Sequence, residues 1–415
     1  MKPFFTLIFL AIISLSFAQV VEDSVVMGPN YTNDVFYSLS NGEVSQYSGS
    51  SWTVAFYNSA MSAAIMINEA RGVELYKVTD DVSQFSSIVD TVGIGSWTNL
   101  HDVDSTWAAY SAFEGASTGS QSNYGWGEYN FSTHIISASR IFMLKTIDNN
   151  YYKVMVVKKQ TGAFTYRYAS LDNAFDTTIV VNVPDYLYQS YAYLNMDNHS
   201  LQSREPNADN WDFVFMKYHT IFQGVGYYPV TGAVSKEGLL VAEVQDLPAN
   251  ADYSGVSFKG LKNVIGSDWK SFNQATNMYT LADSLTFFVK TTSNEIYKLY
   301  FTAFEGGGTG KIKFNKELIV SMVGIRDNKE SFDLHSVYPN PTKGNAYLVF
   351  STEQSEKIEV TVFSLLGNRV FNARTASNIG LNTIQIDLGN LESGVYLVQI
   401  SDGTKTTTQK LILNK

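Results

Sequence analysis

Apolar and polar residues alternate with a period of two through much of this chain, the spacing of β-strands with one face buried. Trp211, Phe213 and Phe215 alternate with Asp212 and Val214, and Trp52, Val54 and Phe56 follow the same pattern. Each set predicts a Trp-led strand whose large side chains share one core face. Arg140 to Thr146 reads as a strand, Asp148-Asn149-Asn150 as a turn and Tyr151 to Lys159 as the return strand. Leu285 to Lys290, Thr291 to Asn294 and Glu295 to Phe304 predict a second such hairpin. Asn and Asp suit these turns because they tolerate the left-handed backbone. Near the C-terminus, Ile358, Val360 and Val362 alternate with Glu359, Thr361 and Phe363 before a Gly367-Asn368 turn, and Ile384, Ile386 and Leu388 alternate with Gln385 and Asp387. Ser117 to Gly127 reads as a long loop, and the Gly-rich stretch Phe304 to Gly310 as a hairpin turn. The pattern predicts an all-β protein.

The predicted elements recur in order. Ser51-Trp52-Thr53-Val54-Ala55-Phe56 matches Asn210-Trp211-Asp212-Phe213-Val214-Phe215. Ile94-Gly95-Ser96-Trp97 matches Ile265-Gly266-Ser267-Asp268-Trp269 with one insertion. Phe142 to Thr146 matches Phe287 to Thr291, and Tyr152-Lys153-Val154 matches Tyr297-Lys298-Leu299 at the same offset. Several matches in one order imply a duplication, so two related β-rich units are expected. Pro184 interrupts a Val-rich strand and marks a boundary near Asn182 to Tyr186; a polar, charged stretch near Gly324 to Phe332 marks another.

Composition narrows the class. The 415 residues exceed one small core, and 45% of them are hydrophobic, too many for a disordered chain. With no cysteine, disulfides, thiolate metal sites and thiol catalysis are excluded. The formal net charge is −10 and no cluster of Lys and Arg stands out, which argues against nucleic acid as a partner. Lys2, the apolar run Phe4 to Ile13 and Ser16-Phe17-Ala18 have the form of a signal peptide cleaved before Gln19. That run is short for a membrane span, and no later run reaches transmembrane length.

The C-terminal residues carry a resemblance. Val337-Tyr338-Pro339-Asn340-Pro341 precedes a strand, Leu366-Gly367-Asn368-Arg369-Val370 follows another, and Leu391-Glu392-Ser393-Gly394-Val395-Tyr396 comes near the end. The set resembles the sorting domain of the Bacteroidetes type IX secretion system. The resemblance implies a small Ig-like β-sandwich over residues 336–415, the type IX secretion machinery as partner, and delivery through the periplasm to the outer surface or the extracellular space.

The duplicated region resembles, on Phe36-Tyr37-Ser38-Leu39, Asn41-Gly42, the two Trp-led strands and Phe164-Thr165-Tyr166-Arg167-Tyr168-Ala169, the HmuY-like haem-binding surface proteins. Thr53 stands where that family has Asp, which is a departure in the first copy. The resulting organisation is a signal peptide at 1–18, HmuY-like units at 19–183 and 184–323, a linker at 324–335 and the sorting domain at 336–415. The resemblance implies haem, or a haemoprotein, as the partner, with iron held by His or Met. Of the five histidines, His134, before the predicted strand from Ile135, and His219, after the second Trp strand, are the candidate haem ligands. His101 and His199 lie in polar stretches and are expected on the surface, and His335 lies in the linker; Met143, Met155 and Met216 read as core. No Walker loop, dinucleotide fingerprint or His-Glu-x-x-His occurs. A non-catalytic role is therefore expected, with an adhesin or glycan-binding module as the alternative to haem binding.

Overall fold

The computed structural model describes residues 19–59, 62–186, 188–222, 224–320, 332–352, 357–365, 367–402 and 406–415. The signal peptide expected at 1–18 and most of the linker expected at 324–335 lie outside them. The described elements are strands and short 3-10 turns, so the protein is all-β. Among the described residues, no helix is long and apolar enough to cross a membrane. The chain divides into two compact units, Met1–Met322 and Val323–Lys415.

In the larger unit a leading trio, β1 (Val20–Val26), β2 (Asn33–Ser38) and β3 (Gly42–Ser48), precedes β4 (Val54–Tyr57), β5 (Ile65–Ile67), β6 (Glu74–Thr79), β7 (Thr98–Leu100), β8 (Gly127–Asn130), β9 (Ile135–Ala138), β10 (Ile141–Lys145), β11 (Tyr151–Gln160) and β12 (Ala163–Ser170). A second trio, β13 (Asp176–Asn182), β14 (Tyr191–Asn195) and β15 (Ser200–Gln202), leads into β16 (Phe213–Phe222), β17 (Gly226–Ser235), β18 (Leu240–Val244), β19 (Lys270–Asn273), β20 (Met278–Leu281), β21 (Thr286–Lys290), β22 (Ile296–Phe304) and β23 (Lys311–Val320).

These strands form two sandwiches. In the first, the sheet β13-β12-β11-β10-β6-β7 faces the sheet β15-β14-β4-β5. Phe164, Tyr166 and Tyr168 of β12 alternate inward and are fully buried with Phe56, Phe113, Trp126 and Phe142. In the second, the sheet β1-β23-β22-β21-β18 faces β17-β16-β2-β3 around Tyr37, Phe213, Phe215, Phe287 and Phe314. The two predicted hairpins are β10–β11 and β21–β22, each closed by the same turn. Thr146 N donates to Asn150 O at 2.8 Å and Thr291 N to Glu295 O at 2.9 Å. Asn149 and Asn294 take the left-handed conformation, at φ 65° and 63°. The strand expected from Ile135 to Thr146 is broken in two, because β9 leaves β10's line to pair with β8 and β11.

The sequence expectation and the structure part company in how the copies are assembled. Matching β4 with β16, β10 with β21 and β11 with β22 makes β1–β3 and β13–β15 equivalent trios. Each trio completes the sandwich of the other copy's body. β2 pairs with β16 and β1 with β23, while β14 pairs with β4 and β13 with β12. Strands 20–48, assigned from sequence to the unit at 19–183, therefore belong to the core formed by β16–β23. Two connections, 49–53 and 203–212, cross between the sandwiches as a consequence.

The Trp residues on these connections depart from the predicted alternation. Val54 and Phe56 enter the first core and Phe213 and Phe215 the second. Trp52 packs instead with Ala55, Tyr57, Met66, Tyr191 and Tyr193, and Trp211 with Phe36, Val214 and Val234. Both Trp residues sit two positions before their strand, and the bend at Thr53 or Asp212 turns each to the opposite face. They seal the seam between the sandwiches, where Trp107 packs against both clusters. Trp107 Nε1 donates to Ser235 O at 2.7 Å, and Tyr191 Oη to Trp107 O at 2.6 Å.

The smaller unit is a sandwich of its own. A sheet β24-β25-β28, of β24 (Phe332–Tyr338), β25 (Asn345–Thr352) and β28 (Gly380–Asp387), faces β27-β26-β29-β30, of β26 (Lys357–Ser364), β27 (Arg369–Ala376), β29 (Gly394–Ser401) and β30 (Thr406–Leu413). Ile358, Val360, Val362, Val398 and Ile400 fill its core. In the Tyr-Pro-Asn-Pro motif, the Asn340 amide donates to Lys410 O at 2.7 Å and accepts from Ile412 N at 2.9 Å. One side chain thus stands in for a strand neighbour of β30. Leu366 of the Leu-Gly-Asn motif lies outside the described residues; Gly367 has φ 81°, the left-handed turn its lack of a Cβ permits.

Candidate functional site

The seam brings together polar residues remote in sequence. Glu69 lies on the 3-10 turn Glu69–Arg71 after β5, His101 one residue past β7, and His219 midway along β16. Glu69 and His101 come from the first sandwich and His219 from the second. The Glu69 Oε2 atom is 3.0 Å from His101 Nδ1 and 3.4 Å from His219 Nδ1. One ligand atom from each of the three side chains lies within 4.8 Å of the others. Glu69 is 9% exposed, and the imidazoles are mostly covered. Burial alone would raise the Glu69 carboxyl, but the hydrogen bond from His101 and the proximity of both imidazoles outweigh it and hold the group below the usual carboxylate range. Tyr227 lies flat on the His101 ring, with centroids 3.8 Å apart and planes at 14°. The His219 Nδ1 atom is buried without a directed hydrogen bond, the 3.4 Å approach to Glu69 being long for one.

Behind this trio, Asp102 is buried and accepts from Ile67 N at 2.9 Å and Ala112 N at 2.6 Å. Burial, with the Glu69 charge, pushes its carboxyl up. Lys262, also buried, lies over Trp107 at 4.6 Å; burial pulls its ammonium down, against the attraction of Asp102, Asp104 and Glu69. A second set holds the crossing connections together. Asp34 of β2 binds Arg71 at 3.0 Å and Arg204 at 2.7 Å, and all three side chains are buried.

Two hollows flank the trio. The inner one, between the Trp-lined faces, has a volume of about 70 Å³ and touches Trp52, Trp211, Glu69 and His219. The outer one is an open cleft of about 560 Å³, with Glu69, Arg71, Glu74, His101, Lys217 and His219 among its walls. His219 and Glu69 reach both.

Of the residues singled out from sequence, His219 belongs to this site. His134 lies elsewhere, exposed on the turn after β8, with its Nδ1 2.6 Å from Tyr129 Oη. The two are not brought together. His101, expected on the surface, is instead partly buried by Tyr227 and Glu69. His199 is exposed, stacked on Phe175 at 4.2 Å. Met143 is core, and Met216 packs at the seam. Sequence reasoning missed Glu69, which carries no local motif and gains its partners only by tertiary contact.

Residues 336–414 match the secretion system C-terminal sorting domain. The chain thus ends in the sorting domain of the type IX system and is an exported protein of the cell surface or extracellular space. No curated protein matches the chain. Among solved structures, the chain is similar to an HmuY-like heme binding protein from Bacteroides vulgatus, at 14% identity over 38% of this chain and 91% of that one, with a TM-score of 0.18. It is also similar to dimeric latent PorU from Porphyromonas gingivalis, at 9% identity over 68% of this chain and 32% of that one, with a TM-score of 0.19.

Proposed function

We propose that this exported protein is a non-catalytic binder that takes haem into the cleft at the seam of its two sandwiches. The observation that supports this is the pair of imidazoles, His101 and His219, on the wall of an open cleft of about 560 Å³. That volume is within the range of small-molecule sites, roughly 300–1,000 Å³. Haem iron takes imidazole ligands, and the Lys217 side chain on the same wall suits a carboxylate such as a haem propionate. The inner hollow of about 70 Å³ is too small for a porphyrin, so the macrocycle would lie in the outer cleft. Titration of the purified mature protein with haemin tests the reading. A saturable shift of the Soret band that weakens in His219→Ala is expected. His134→Ala asks whether the surface turn takes part. No shift beyond that of free haemin would remove haem.

A second reading, an adhesin, is favoured by the tip of the β16–β17 hairpin. Ile221, Phe222, Val225, Tyr227 and Tyr228 are exposed there, an apolar tip unusual on a protein surface. Replacing Ile221, Phe222 and Val225 with Ser should abolish attachment to host surfaces or glycans on this reading and leave haem binding intact.

A further inference from the structure

We infer that Glu69, His101 and His219 form a site for a divalent first-row transition ion of the zinc class, with an open coordination position facing the cleft. The inference rests on the cleft being the binding site of this protein, and it does not require haem.

The spacing of the donors carries it. Zinc–nitrogen and zinc–oxygen bonds of about 2.0–2.2 Å at tetrahedral angles put neighbouring donors about 3.3–3.5 Å apart. The Glu69 oxygen is 3.0 Å from one imidazole nitrogen and 3.4 Å from the other. Hydrogen bonding alone explains the first contact but leaves the second unexplained. Among the described residues, His219 Nδ1 is a buried polar atom without a directed hydrogen bond, 3.4 Å from the Glu69 oxygen that also contacts His101. A cation among the three donors would satisfy all of them at once.

The donor set points to the class of ion. Two imidazoles with one carboxylate suit zinc, iron(II), cobalt or nickel; calcium and magnesium prefer oxygen donors throughout. The second carboxylate nearby, Asp102, is already committed, since both its oxygens accept backbone N–H groups. Three protein ligands leave at least one position free, and the cleft is the open side of the site. Because two ligands come from the first sandwich and one from the second, the ion would also clasp the seam.

The mature full-length protein, stripped with a chelator, is titrated with Zn(II) by calorimetry and with Co(II) by visible absorption. One ion per chain is expected, with the intense ligand-field bands of four- or five-coordinate Co(II) and a metal-dependent rise in Tm. His101→Ala, His219→Ala and Glu69→Gln should each weaken binding by at least the roughly 100-fold that losing even an outer partner of a ligand can cost. His134→Ala should leave binding unchanged. Since a seam variant could fail to fold, pulsed EPR of the Cu(II)-loaded wild-type protein supplies a separate count, for which two coordinated imidazoles are expected. Weak, non-stoichiometric binding, or fewer than two imidazoles, overturns the inference. Zinc binding without a haemin shift would remove haem and keep this site; a haemin shift lost in His219→Ala without zinc binding would do the reverse.

Discussion

Asp34 offers the sharpest test of how the two sandwiches are joined. It is 2% exposed on β2, in the second sandwich, and it neutralises Arg71 from the first and Arg204 on the connection that leaves the first. Asp34→Ala leaves two guanidiniums without their carboxylate. Removing one partner of a buried ion pair costs about 3–5 kcal/mol, because the remaining charge is left uncompensated. Two features moderate the loss. Arg204 keeps Ser51 Oγ at 3.1 Å and the face of Tyr193 at 5.1 Å. Arg71 lines the cleft and can relax toward water. We therefore expect the lower part of that range, about 3–4 kcal/mol. At roughly 2–3 °C per kcal/mol for a unit of this size, Tm falls by about 6–12 °C. Scanning calorimetry and urea unfolding measure it, and Asp34→Asn, which keeps the shape but not the charge, should fall between. The double variant Asp34→Ala with Arg71→Ala should cost less than the sum of the two, since they share one interaction. As a contrast, Arg374→Ala breaks an exposed pair with Glu359 in the sorting unit and should cost less than about 1 kcal/mol. An Asp34→Ala variant within about 1 kcal/mol of wild type would refute the view that this buried triad clamps the seam.

Other expectations concern the cores, pH and export. Trp126 is fully buried and donates to Ala63 O at 3.0 Å, so Trp126→Ala should cost about 3–5 kcal/mol by urea unfolding. Burial pulls the Lys270 ammonium down to about 7, while Asp268 partly restores it. Between pH 7 and the ordinary lysine range the unfolded chain then binds more protons than the folded one, so this residue makes stability rise with pH there. Below pH 7 its penalty is present in full, and Lys270→Met should flatten this part of the stability–pH curve relative to wild type. Asn340→Ala removes two contacts to β30, at about 1 kcal/mol each; amide exchange at Ile412 should quicken, and unchanged exchange would count against the motif's bracing role. Deleting residues 336–415 should strand the protein in the periplasm of its host, and cell fractionation would show a truncated form at the surface if the tail were dispensable.

Period-two alternation was enough to predict the strand class, both hairpins and their Asn turns, because these depend on neighbours close in sequence. The Tyr-Pro-Asn-Pro motif was legible for the same reason, although its bond to β30 joins residues 340 and 412. The faces of Trp52 and Trp211 were misjudged because alternation holds only inside a strand, and both lie just before one. The partnership of the trios was hidden more deeply. Equivalent strands carry equivalent faces, so β2 would fit β4 or β16 by pattern alone, and only the packing of whole sheets chooses between them. That choice carries chain 49–53 and 203–212 across the seam and brings Asp34 to Arg71 and Arg204. The same seam places His219 beside Glu69 and His101. Local sequence determined which residues form strands and turns, since that rests on backbone preference and side-chain periodicity. Tertiary structure alone decided how the trios pair with the two bodies and where the site lies, since both rest on contacts between residues far apart in the chain, such as His219 with Glu69.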